Sequence, residues 1–161
     1  PGWLFKKQLI MERVFKKTDR TFVDLITHCN DILTKYPDSR IYVGTDSINS
    51  KQFTTYCTVV AFRYGNNGAH FIFAKKSINR IKDKFQRLWN EVEYSVEIAQ
   101  YIQKFGYKVD TIELDLNSDK KWASNGVVGS GVGYCTGLGF KTNIKPEEQI
   151  STRAADHILT H

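Results

Sequence analysis

The chain has 161 residues, a formal net charge of +6, and 41% hydrophobic and 13% aromatic residues. That suffices for one domain with a sizeable core, and no apolar run approaches the roughly 20 residues that span a bilayer. Cys29, Cys57 and Cys135 stand far apart with no Cys-x-x-Cys pair, which argues against a zinc knuckle or a disulfide framework and for reduced thiols in a cytoplasmic protein.

Residues 1–19 are basic and amphipathic, with Lys6, Lys7, Arg13, Lys16 and Lys17 among Trp3, Leu4, Phe5, Leu9, Ile10, Val14 and Phe15. No apolar signal-peptide core follows them; a short strand or helix packed on the domain is the expectation. Phe22, Leu25, Ile26, Cys29, Ile32 and Leu33 recur at helical spacing over 21–36, and Pro37-Asp38-Ser39 ends that helix. Three runs rich in Val, Ile, Thr, Tyr and Phe follow, at 40–46, 53–64 and 69–76. Gly65-Asn66-Asn67-Gly68 is a hairpin turn, since Gly and Asn tolerate positive φ. The three strands therefore form an antiparallel meander.

The period then changes. Phe85, Leu88, Trp89, Val92, Val96, Ala99 and Ile102 mark a long amphipathic helix over 84–105, capped by Gly106. A fourth strand at 108–116, a Gly-rich helix at 122–137 and a fifth strand at 140–144 lead to a last short helix, with Ser151 as its expected cap. The order βββαβαβα is an α/β fold with a mixed five-stranded sheet, helices on both faces and an extra N-terminal helix. One domain is expected, with 1–37 a basic, helical extension and 38–161 the core.

Four carboxylates hold suggestive positions. Asp46 ends the first strand in Gly44-Thr45-Asp46-Ser47, where a turn-forming role is the plainer reading. Asp115 ends the fourth strand, on the face opposite Ile112, Leu114 and Leu116. If those strands pair, the two acids lie about one strand spacing apart, ~4.8 Å, and repel unless a cation sits between them. Glu91 borders the buried face of the long helix beside Leu88 and Ser95, with Glu97 the second choice. Asp156 follows Ala154-Ala155 in the last helix, where the helix dipole alone would favour it. Together they suit a hard cation held by oxygen ligands, Mg²⁺ or Mn²⁺.

A second cluster, Lys75, Lys76, Arg80, Lys82, Lys84 and Arg87, is the expected nucleic-acid-binding surface, with a solvated helix face as the alternative. Gly129-Ser130-Gly131-Val132-Gly133 lacks the spacing of a dinucleotide loop and reads as a smooth packing stripe. No phosphate-binding Gly-x-x-x-x-Gly-Lys loop, paired-histidine metal motif or nucleophile elbow occurs. His157, beside Asp156, reads as an exposed terminal histidine.

The ordered stretches YVGTDS (42–47), RLWNEV (87–92), Asp115-Leu116-Asn117 with Ser124-Asn125, GYCTGLGF (133–140), IKP (144–146) and AAD (154–156) are similar to the YkuK-like family of ribonuclease H-like nucleases. The similarity spans roughly 38–158. It departs in the glycines at 126, 129, 131 and 133 and in the acidic Glu147-Glu148-Gln149-Ile150 loop. The resemblance implies a ribonuclease H-like fold with Asp46, Glu91, Asp115 and Asp156 as metal ligands. It implies a nuclease using two Mg²⁺ or Mn²⁺ ions to hydrolyse phosphodiester bonds of RNA, DNA or a hybrid. The rival expectation is a non-catalytic nucleic-acid- or protein-binding module on the same fold.

Overall fold

The computed structural model describes residues 14–66, 68–117 and 125–161, with only the backbone of Asn117 and Asn125. Trp3, Lys6, Lys7, Arg13 and the expected helix start at 122 lie outside the described residues. Two short strands open the described chain, β1 (Phe15–Lys17) and β2 (Phe22–Val23), followed by α1 (Leu25–Lys35). The meander is β3 (Arg40–Asn49), β4 (Phe53–Tyr64) and β5 (Gly68–Asn79). Then come α2 (Lys84–Lys104), β6 (Thr111–Asn117), α3 (Asn125–Gly137), β7 (Thr142–Lys145) and α4 (Ser151–Thr160).

One sheet of seven strands runs in the order β2-β1-β5-β4-β3-β6-β7. The meander pairs antiparallel, while β3–β6 and β6–β7 are parallel. The mixed α/β architecture is the expected one, but the strand count of five is corrected to seven. The two additional strands come from the N-terminal segment, where β1 pairs with β5 through Lys16↔Phe73 and Lys17↔Ile72. At three and two residues they are too short to carry a period of two. Residues 21–24, expected to begin the helix, are spent on β2 and on Asp24, whose carboxylate caps α1 by accepting from Thr27 N at 2.9 Å.

Strand alternation divides the sheet into two faces. Ile41, Val43, Val60, Phe62, Ile112, Leu114 and Leu116 point to the side covered by α1, α2 and α3, in one large core with Cys29, Val92, Val96 and Ile102. On the other side, Cys57 and Val59 pack with Ala155 of α4, and Phe71 and Phe73 lie against them. Among the described residues α4 is the helix that covers this face, and it does so closely. A Cβ on Gly44 would collide with Ser151 Oγ and stand 2.7 Å from Thr152 Cγ2. The Gly-rich helix uses one glycine in a comparable way: a Cβ on Gly131 would lie 3.3 Å from Val92 Cγ2, between α3 and α2. Gly126, Gly129 and Gly133 face open space, so the packing stripe reduces to a single position.

Candidate metal centre

Asp46 and Asp115 are brought to one place by sheet register. The parallel pairing Tyr42↔Thr111, Val43↔Ile112, Gly44↔Glu113 puts Asp46 and Asp115 at equivalent positions two residues further along each strand. Both side chains fall on the α4 face. Asp115 also lies where the β6–β7 register shifts, between Leu114↔Ile144 and Asn117↔Lys145, an irregularity of the kind that re-aims side chains near functional sites. Asp156, exposed in the second turn of α4, lines one groove with Asp115. Glu91 arrives from the other layer. It is buried on α2, and its Oε2 accepts a 2.5 Å hydrogen bond from Ser47 Oγ, the residue next to Asp46 on the opposite face of β3.

Asp46 and Glu91 feel the acids around them. Burial pushes the Asp46 carboxyl up to about 7, and the charges of Asp115 and Asp156 push the same way, against a 2.8 Å hydrogen bond from Ser47 N. Burial also raises Glu91 well above the ordinary carboxylate range, with Asp46 and Asp115 adding to it and the Ser47 hydroxyl opposing. Glu97, the alternative to Glu91, is buried one turn and a half further on and lines the groove between α2 and α3 with Asn90, Glu93 and Tyr134.

Two residues that sequence reasoning did not single out complete the surroundings. Glu113, fully buried on β6, accepts from Ile150 N at 2.8 Å and from Ser151 N and Ser151 Oγ, each at 2.6 Å. Ser151 was the expected cap of the last helix. Instead Ile150 holds the cap position with no side-chain cap bond, and the Glu113 carboxylate from the neighbouring strand takes the free N–H groups. The helix bearing Asp156 is thereby fastened to the strand bearing Asp115. Lys145, at the end of β7, places its Nζ 2.7 Å from Asp115 Oδ1. Its close contact with Asp115 raises its pKa, and the charges of Asp46 and Asp156 act in the same direction.

Divalent metal ions are a property that the fold class implies, and the residues fit one chemically. Asp115 Oδ1 is buried, with the Lys145 ammonium in ion-pair contact and no hydrogen bond to it. An all-oxygen set of mutually repelling carboxylates is what a hard cation stabilises. Among the described residues no three His, Cys, Asp or Glu side chains are already gathered around one ion position, so cation binding would require the carboxylates to close up.

The basic cluster is divided by alternation. Cys57 pairs with both Asp46 and Lys75, which puts Lys75 in one cross-strand row with Asp46 on the α4 face, while Lys76 pairs with Tyr56 and points to the other. Arg80 is occupied structurally, with its Nη1 donating to Ser50 O. Lys82 and Lys84 are exposed around the Asp83 cap of α2, and Arg87 lies near Glu91. Trp89 packs on Tyr134 and donates to Glu93 Oε1 at 2.9 Å, a structural role. His157 is exposed and stacks on His161. No helix among the described residues is long and apolar enough to cross a membrane.

A search of curated proteins finds no match. A family model does match, over residues 24–160, which takes in every described element from α1 to α4. With the meander, the parallel crossover and the similar motifs, that match establishes that the chain belongs to the Ribonuclease H-like family.

Proposed function

We propose that this protein is a divalent-metal-dependent nuclease that hydrolyses phosphodiester bonds of RNA or DNA. The observation that carries this reading is the β3–β6 register that sets Asp46 beside Asp115, with Asp156 in the same groove as Asp115 and Glu91 hydrogen-bonded to Ser47. Buried acids such as Asp46 and Glu91, raised further by acidic neighbours, are what a bound cation would offset. Asp46, Asp115 and Asp156 would hold Mg²⁺ or Mn²⁺ from the α4 face and Glu91 from the α2 side. When bound, such ions supply a water of lowered pKa and charge stabilisation at the leaving oxygen.

The chain's own groups do the rest. Ser47 Oγ orients Glu91 through its 2.5 Å hydrogen bond. Burial, with Asp115 and Asp156 adding to it, lets Asp46 keep a proton more readily than an ordinary carboxyl, and a bound cation would favour its charged form. Glu113 fixes the approach of Asp156 by holding the N-terminus of α4. Lys75, in the Asp46 row, and the exposed Lys82 and Lys84 would neutralise backbone phosphates.

The test is cleavage of RNA, DNA, hybrid and branched substrates with Mg²⁺ and with Mn²⁺, by the wild type and Asp46→Asn. Activity in the wild type and at least a hundredfold loss in the folded variant is the expected result, a loss of about 3 kcal/mol of transition-state stabilisation. Binding of nucleic acid without cleavage of any substrate would favour a non-catalytic module instead.

A further inference from the structure

Among the described residues, Lys145 is a cation in direct contact with one of the four carboxylates. Its Nζ lies 2.7 Å from Asp115 Oδ1, an oxygen that is otherwise buried and without a hydrogen bond. Three of the four carboxylates, Asp115, Asp46 and Asp156, act on its ammonium. The Lys145 side chain is half exposed. It also borders a groove of about 420 Å³ shared with Asp115, Gln149, Thr152, Arg153 and Asp156. Space therefore exists for the ammonium to swing away. Its backbone lies just past the β6–β7 register shift, paired with Asn117 rather than with Asp115, so the side chain reaches back along the edge strand to the carboxylate.

We infer that Lys145 is the resident counter-ion of the carboxylate cluster: its ammonium holds Asp115 Oδ1 in the metal-free protein, and a divalent cation fills the site by displacing it. This rests on the reading of the four carboxylates as a metal centre. The physical argument is competition for one oxygen. A lone pair of Asp115 Oδ1 that faces Nζ at contact distance is not open to a metal ion. An ammonium left a few ångströms from a divalent ion also repels it with twice the strength of a monovalent pair. Lys145 thus lowers the site's affinity for metal while keeping Asp115 in place between turnovers. Once displaced into the groove, the ammonium is left beside the site, where an incoming phosphate would be its new partner.

The experiment is Mn²⁺ titration of the metal-free full chain by calorimetry, with the paramagnetic resonance of free Mn²⁺ as a second readout, for the wild type, Lys145→Gln and Lys145→Arg. Removing the charge should tighten Mn²⁺ binding by about tenfold or more. Lys145→Arg, which keeps it, should stay within about threefold of the wild type. Wild-type binding with equal or weaker binding by Lys145→Gln overturns this inference and leaves the metal centre standing. No binding by any of the three at millimolar Mn²⁺ removes the metal centre itself, and the inference with it.

Discussion

At Asp46, burial and two neighbouring carboxylates lift the pKa from 3.8 to about 7. An acid raised by folding binds its proton more tightly in the native chain than in the unfolded one. Its contribution to stability is complete below about pH 4 and is lost as pH rises toward 7. The metal-free protein should lose about 2–4 kcal/mol across that interval from this group, and Asp46→Asn should not. Thermal melts of both chains at pH 4.5 and 8 in a chelator check this: the variant should melt higher at pH 8, and equal slopes would show that the repulsion is absent. The same substitution that abolishes cleavage is thus expected to stabilise the metal-free protein, a trade of stability for function common at charged sites. Asp115 and Asp156 were legible as strand-end and helix acids. Glu113 was not, because a buried Glu on a strand leaves no local signal of the helix it caps.

Among the elements, α4 decides the site, and two contacts decide α4: the Glu113 carboxylate at its N-terminus and the Gly44 backbone beneath it. Gly44→Ala should push the helix off β3, since its new methyl has only Ser151 and Thr152 to displace. Overpacking of that kind costs about 1–3 kcal/mol. Cleavage should fall more steeply than stability, because Asp156 moves with the helix. A denaturant melt together with an activity assay separates the two, and a stable, fully active variant would dissociate helix position from function. At the other end of the sheet, α1 is tied to β5 by His28 Nε2 and His70 Nε2, 2.6 Å apart, with the His28 ring on the edge of Phe62. Burial lowers His28 from 6.5 to about 4, helped by His70 and Lys17, with Asp31 opposing. A histidine depressed by folding stabilises the native state above pH 6.5 and loses that contribution as pH falls toward 4. Amide protection in α1, corrected for the intrinsic pH dependence of exchange, should therefore fall between pH 7 and pH 5 ahead of the rest of the sheet, and His28→Gln should blunt the change.

Over the whole molecule, a net charge of +6 surrounds a carboxylate cluster, an arrangement in which phosphates are drawn to the surface and cations to the centre. Affinity for nucleic acid should fall linearly with the logarithm of salt concentration, and Lys75→Gln should reduce the slope by about one. Arg80→Gln should instead loosen the turn at Ser50, to which it is bonded, with little change in slope. Fluorescence anisotropy at several salt concentrations distinguishes them. A Lys75→Gln slope equal to the wild type would take Lys75 out of the phosphate path.

The sequence by itself determined the periodic elements: the meander, the long helix α2, the crossover strand and the face on which Asp115 lies, all set by local alternation of apolar and polar residues. It also carried the four acids and the family resemblance. Only the tertiary structure decided that β1 and β2 extend the sheet, since two or three residues hold no period. It alone decided that Glu113 caps α4, that Lys145 reaches Asp115, and that Lys75 and Lys76 part company across the sheet. Each of those depends on register between segments far apart in the chain, and register is fixed by packing, which no local pattern encodes.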